Sequence, residues 1–86
     1  MHITAMLGAV LLLASCASYQ VRKGDEALAL YAYADAQKHY DKALAHRTDR
    51  DVLLHAADAC RRQNKLNDAA ARYRAADSIA PLHGDA

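Results

Sequence analysis

The chain repeats itself. The stretch Tyr33 to Ala43, YADAQKHYDKA, returns in pattern as Leu66 to Ala76, LNDAAARYRAA, at a shift of 33 residues. On that offset Tyr33 superposes on Leu66, Asp35 on Asp68, Ala36 on Ala69, Tyr40 on Tyr73, Ala43 on Ala76 and, upstream, Asp25 on Asp58. Alanines coincide readily in an alanine-rich chain, but tyrosines and aspartates together do so far less. Self-similarity at a period of this length marks supersecondary units that stack because none can bury its apolar face alone.

Composition says what those units are made of. Phe and Trp are absent and there are one Pro and three Gly, while Ala, Leu, Lys, Arg, Asp and Gln abound, so intrinsic preference favours helix over strand. An all-α fold is expected. With 86 residues the chain has room for one small domain and not for a large buried cleft. Its formal net charge of +1 gives no drive for general adhesion to nucleic acid or acidic lipid. Helices are expected from about Tyr19 to Leu30 and from Ala34 to His46. A third opens with Thr48 and Asp51 as a capping box and runs through Leu53, Ala56, Ala57 and Cys60 at three- and four-residue spacing. Gln63-Asn64-Lys65 forms a polar turn, and a fourth helix begins near Asn67.

The spacing of Ala69, Tyr73, Ala76 and Pro81 resembles the second half of a tetratricopeptide repeat (TPR), a family of 34-residue helix-turn-helix units. The resemblance implies two such units, a degenerate one over 19–49 and a better one over 50–83, followed by a tail at 84–86. In such units small residues sit where helices approach closely, an aromatic fills the gap one turn on, and a proline stops the second helix. Tyr40 and Tyr73 would be the aromatic plugs, and Gly24 would occupy a small-residue slot. The first unit departs from the pattern at its turn, Tyr31-Ala32, which lacks Gly or Asn, and at Thr48, which stands where the proline belongs. Stacked units usually number three or more. Two leave the face bearing Ala70, Tyr73 and Ile79 in need of cover, by self-association, by docking on a larger protein, or because the gene is truncated.

Ahead of the repeats, Ile3 to Ala14 form an apolar run of about 12 positions, short of the roughly 20 needed to span a bilayer and suited to the centre of a secretory leader. Leu13-Ala14-Ser15-Cys16 resembles a bacterial lipobox. The resemblance implies a signal peptide over 1–15, a lipidated amino terminus at 16–18, and a thioether-linked diacylglycerol with an added acyl chain such as palmitate on Cys16. Several buried chains at about 0.8 kcal/mol per methylene would hold the protein on a membrane permanently. Ala17, not being Asp, does not match the retention signal of the inner membrane, and no acidic tract follows, so the periplasmic face of the outer membrane is expected. The blander reading makes Cys16 a small hydrophobe in a helix. The repeats following a lipobox are similar to segments of Bacteroidota cell-envelope proteins, including components associated with type IX secretion.

Chemistry is sparse. No His-Glu-x-x-His, Cys-x-x-Cys or glycine-rich phosphate loop is present. His39 and His46, like Asp51 and Asp58, lie seven apart, about 10 Å along a helix, too far to share a metal. Cys60 belongs to an apolar helical series and is expected to pack, where thiols are inert. No metal, soluble cofactor, small-molecule substrate or nucleic acid is expected, and no enzymatic activity. Family geometry places Leu54, Asp58, Arg61 and Arg62 on a ligand-facing groove that Asp25 and Leu28 extend. The family's carboxylate clamp for chaperone tails needs Lys and Asn where this chain has Leu54 and Asp58. The expected function is a lipid-anchored adaptor that binds another envelope protein. Alternatives are a self-associating structural fragment of a larger envelope component and a thiol-dependent enzyme using Cys60.

Overall fold

The computed structural model describes the backbone of residues 2–79 and the side chains of residues 16–79. The described residues form four α-helices and no strand: α1 (His2–Ala29), α2 (Tyr33–His46), α3 (Arg50–Arg62) and α4 (Leu66–Asp77). The class is all-α, as composition requires. Consecutive helices pack on one another, α1 on α2, α2 on α3 and α3 on α4. The helix stop expected at Pro81 and the tail at 84–86 lie outside the described residues.

Two boundaries differ from expectation. The first helix begins at His2 instead of near Tyr19 and runs unbroken through Cys16, because the apolar and small residues ahead of Tyr19 include no proline to interrupt it. The third helix is capped by Asp49 and not by Thr48. Asp49 holds an extended backbone (φ −144°, ψ 126°), and its Oδ1 accepts from the N–H groups of Asp51 at 2.9 Å and Val52 at 3.2 Å. A carboxylate at this site meets both the orphan donors and the positive end of the helix dipole.

Both hairpin turns are Schellman motifs, and they match bond for bond at the 33-residue offset. The Ala32 N–H donates to Ala27 O at 2.9 Å and the Tyr31 N–H to Leu28 O at 3.0 Å; further on, the Lys65 N–H donates to Cys60 O and the Asn64 N–H to Arg61 O, each at 2.9 Å. The residue closing each turn is left-handed, Tyr31 at φ 60° and Asn64 at φ 63°. Asparagine tolerates that conformation, whereas for tyrosine it costs about 1–2 kcal/mol.

The core is built around Tyr40, which is 0% exposed. Ala36 and Ala43, one turn either side of it on α2, are also buried and bring the helices close enough to enclose the ring. Val52, Ala56 and Ala59 cover the cluster from α3, while Val21, Ala27 and Leu28 of α1 pack against it. Gly24 is the seat of the ring. A Cβ there would lie 2.6 Å from Tyr40 Cε1 and 2.7 Å from Cδ1. In the second hairpin the position equivalent to Gly24 is Ala57, itself fully buried. Tyr40 is covered from α3 by Val52, Ala56 and Ala59, whereas Tyr73 lies on the last described helix and is only half-buried. The expected pair of tyrosine plugs is therefore one full plug and one partial one.

Polar clamps tie the hairpins together. Gln63 Nε2 donates to Gln37 Oε1 at 2.8 Å and to Ala59 O at 3.0 Å, and Arg72 grips Asp41 with a two-pronged contact of 3.2 and 2.9 Å.

Two thermal-denaturation experiments test this account. Gly24→Ala should gain roughly 0.5–1 kcal/mol of helix propensity but lose roughly 1–3 kcal/mol to overpacking against a ring that cannot retreat. The melting temperature should therefore fall by several degrees. Tyr31→Asn should raise it, by an amount corresponding to about 1 kcal/mol, because the left-handed turn is retained and its strain relieved.

Candidate functional site

α1 and α3 jointly line two clefts. The larger, about 360 Å³, is bounded by Ser18, Arg22 and Asp25 of α1, by Arg47 and Asp49 of the α2–α3 connection, and by Asp51 and His55 of α3, among others. The smaller, about 160 Å³, is formed by Leu28, Tyr31, Tyr33, Asp58 and Arg62.

The residues expected on a partner surface divide between these clefts. Asp25 lines the larger one, where its Oδ1 accepts the Tyr40 hydroxyl at 2.6 Å. A residue expected only to face a ligand is thus also the hydrogen-bond partner of the core. Burial first, and then the hydrogen bond to Asp25 and the charge of that carboxylate, push the Tyr40 hydroxyl well above the usual phenol range. Leu28, Asp58 and Arg62 meet in the smaller pocket, whereas Leu54 and Arg61 line neither. Leu54 is half-buried, and Arg61 is exposed.

Asp58 is a pinned charge. Arg61 Nη2 donates to its Oδ1 at 2.5 Å and Arg62 Nε to its Oδ2 at 3.1 Å. Partial burial alone would raise the carboxyl, but the two arginine hydrogen bonds and their charges override it and hold Asp58 below the ordinary carboxylate range. Hydrogen bonding with Asp58 and Tyr73 in turn raises the Arg61 guanidinium. Arg62 also lies over the Tyr33 ring, 5.5 Å from its centroid, and Tyr31 meets Tyr33 edge to face with centroids 6.3 Å apart.

Tyr31 and Tyr33 were not anticipated as site residues. The signal available for Tyr31 was a bulky aromatic at a turn position suited to Gly or Asn; Tyr33 carried none beyond its match to Leu66. Arg22, Arg47 and Asp51 also line the larger cleft; Arg47 and Asp51 are close in sequence, and only Arg22 is brought to them by the fold.

The two cysteines and His39 line neither cleft. Cys16 is an exposed free thiol on α1, and Cys60 a free thiol that is fully buried. Burial pushes the Cys60 thiol up, away from the thiolate that nucleophilic attack requires. His39 contacts Gln20 Oε1 through Nδ1 at 2.7 Å, and His55 stacks on Tyr40 at 5.7 Å between centroids. Among the described residues no three His, Cys, Asp or Glu side chains are grouped so as to hold a metal ion, and no helix is long and apolar enough to cross a membrane.

Comparison of the chain with protein-family models, with curated proteins and with solved structures finds no match to any of them.

The sign of the Asp58 shift defines a pH window. A carboxyl depressed in the folded state contributes stability above its unfolded value, and that contribution is lost as pH falls through the lower folded value. Carbon-13 NMR titration of the Asp58 carboxyl should give a midpoint below the usual carboxylate range. In an Arg61→Ala, Arg62→Ala double variant the midpoint should return toward that range.

Proposed function

We propose that the chain is a lipid-anchored envelope adaptor in which two TPR-like helix pairs present the α1–α3 seam to a protein partner. One observation carries this reading: α1 and α3 together line two open clefts bearing charged and aromatic side chains, while the one buried thiol is closed to solvent. Such a surface offers docking contacts and no activated nucleophile. The recurrence of both Schellman turns at the 33-residue offset supports assigning the hairpins to repeats of this type.

The anchor is Cys16, whose position after Leu13-Ala14-Ser15 matches a lipobox and whose side chain is exposed. Lipidation there places the repeats at the periplasmic face of an outer membrane. A second reading, self-association through α4, is favoured by the half-buried Tyr73, a large ring on a helix that packs chiefly against α3.

Metabolic labelling with a radioactive fatty acid should mark the protein, and Cys16→Ser should abolish the label; retained label would remove the anchor. A photo-crosslinking residue at position 22 or 51, both in the lining of the larger cleft, should then join the protein to a different envelope protein in intact cells. Recovery of the self-adduct alone would replace the adaptor with the self-associating fragment.

A further inference from the structure

We propose that α1 lies along a phospholipid surface, with the helix face bearing Cys16, Tyr19, Lys23 and Leu30 set in the headgroup layer and the larger cleft turned away from it. The inference rests on the anchor at Cys16 and specifies how the folded chain sits on its bilayer.

The anchor has no tether. Cys16 is exposed, yet Ala17, the next residue, is 2% exposed, and the helix runs on without a break to Ala29. A flexible linker would let an acylated domain roam above its membrane. Here the acyl chains on Cys16 leave directly from the side of a packed helix, so the face that carries this side chain is drawn against the lipid.

Helical spacing defines that face. Residues 16, 19, 23, 26 and 30 follow one another at three- and four-residue steps and share one side of a helix with 3.6 residues per turn. Leu30 prolongs α1 by one residue, its N–H donating to Ala27 O at 3.1 Å. Among the described residues four large hydrophobic side chains stay exposed, and two of them lie in this row, Tyr19 at 47% and Leu30 at 78%. An interfacial helix buries such a row about 5–10 Å into the boundary between headgroups and acyl chains.

The polar residues of the row suit the same layer. Tyrosine rings concentrate at membrane interfaces, and Tyr19 carries the guanidinium of Arg22 and the ammonium of Lys23 over its ring at 5.5 and 5.6 Å. These two cations are the first charged residues after Cys16, and long basic side chains reach lipid phosphates while their stems stay on apolar surface. The one carboxylate in the row, Glu26, is already paired with Lys23 at 3.4 Å.

The larger cleft looks elsewhere. Ser18, Arg22 and Asp25, the residues through which α1 meets α3 across it, are centred about 120° round the helix from the row. Lipid on one side of α1 therefore leaves the cleft open to a partner on the other.

The test uses the mature lipoprotein, purified from bacterial membranes and reconstituted in vesicles of phosphatidylethanolamine and phosphatidylglycerol. The acyl chains are either plain or brominated near their headgroup end. The chain has no tryptophan, so Tyr19→Trp, Leu30→Trp and Asp51→Trp each report one position, with the same preference of the indole for interfaces in all three. Tyr19→Trp and Leu30→Trp should lose fluorescence in the brominated vesicles and emit at shorter wavelength. Asp51→Trp, in the lining of the larger cleft, should do neither. Flotation of the vesicles is read first: protein that does not float with them removes the anchor and this orientation together. Among variants that float, quenching at position 19 alone marks a domain standing on its end, and quenching at neither 19 nor 30 marks one held clear of the lipid. A wavelength shift without quenching marks a second copy on this face, and quenching at position 51 marks a cleft turned to the bilayer. Each of these four results keeps the anchor and overturns the proposal.

Discussion

One side chain holds three helices at once. Tyr40 projects from α2, lays its ring on the bare backbone of Gly24 in α1, stacks its face on His55 of α3 and donates its hydroxyl to Asp25 of α1. A buried phenol without an acceptor would carry a penalty of roughly 1–3 kcal/mol, and a ring without the glycine would have no room. Both conditions lie on α1 within two consecutive residues. The small residues Ala36, Ala43, Ala56 and Ala59 then bring the helices into contact around the ring.

The two hairpins share a pattern and differ in how they use it. Asp25 and Asp58 are equivalent, yet Asp25 accepts from Tyr40 while Asp58 accepts from Arg61 and Arg62. The cause lies three and four residues on, where Leu28 and Ala29 of the first unit become Arg61 and Arg62 in the second. With no cation three or four residues on, the first aspartate forms no such pair and accepts from the tyrosine. With two, the second is taken up within its own helix by i,i+3 and i,i+4 pairs. The tyrosines diverge as well, Tyr40 being fully buried and Tyr73 only half-buried. The core thus tightens in the first unit, and the second devotes the same position to surface charge beside the smaller cleft.

Core and seam are consequently coupled through Asp25, whose carboxylate faces the larger cleft and also receives the core hydroxyl. The buried ring already orients the Asp25 carboxylate, so that group has less freedom to lose than a free surface carboxylate. The smaller pocket has a different support. Leu28 is fixed by the core, Tyr31 by two turn hydrogen bonds, and Arg62 by Asp58 and the Tyr33 ring.

Much of this was determined by the sequence alone, because it depends on local preference and on spacing. The all-α class follows from composition, and the burial of Ala36, Tyr40, Ala43 and Cys60 from helical periodicity. Other features required the tertiary structure. Asp49 displaced Thr48 as cap because backbone geometry, and not residue type, selects between adjacent acceptors. Tyr73 stayed half-buried where its counterpart Tyr40 is enclosed between helices, a difference in cover that no spacing within one helix reveals. The smaller pocket joins Leu28, Tyr31 and Tyr33 to Asp58 and Arg62, residues up to 34 positions apart. Their proximity follows from the stacking of one hairpin on the other, and a linear chain does not specify which of its polar and aromatic residues that stacking will bring together.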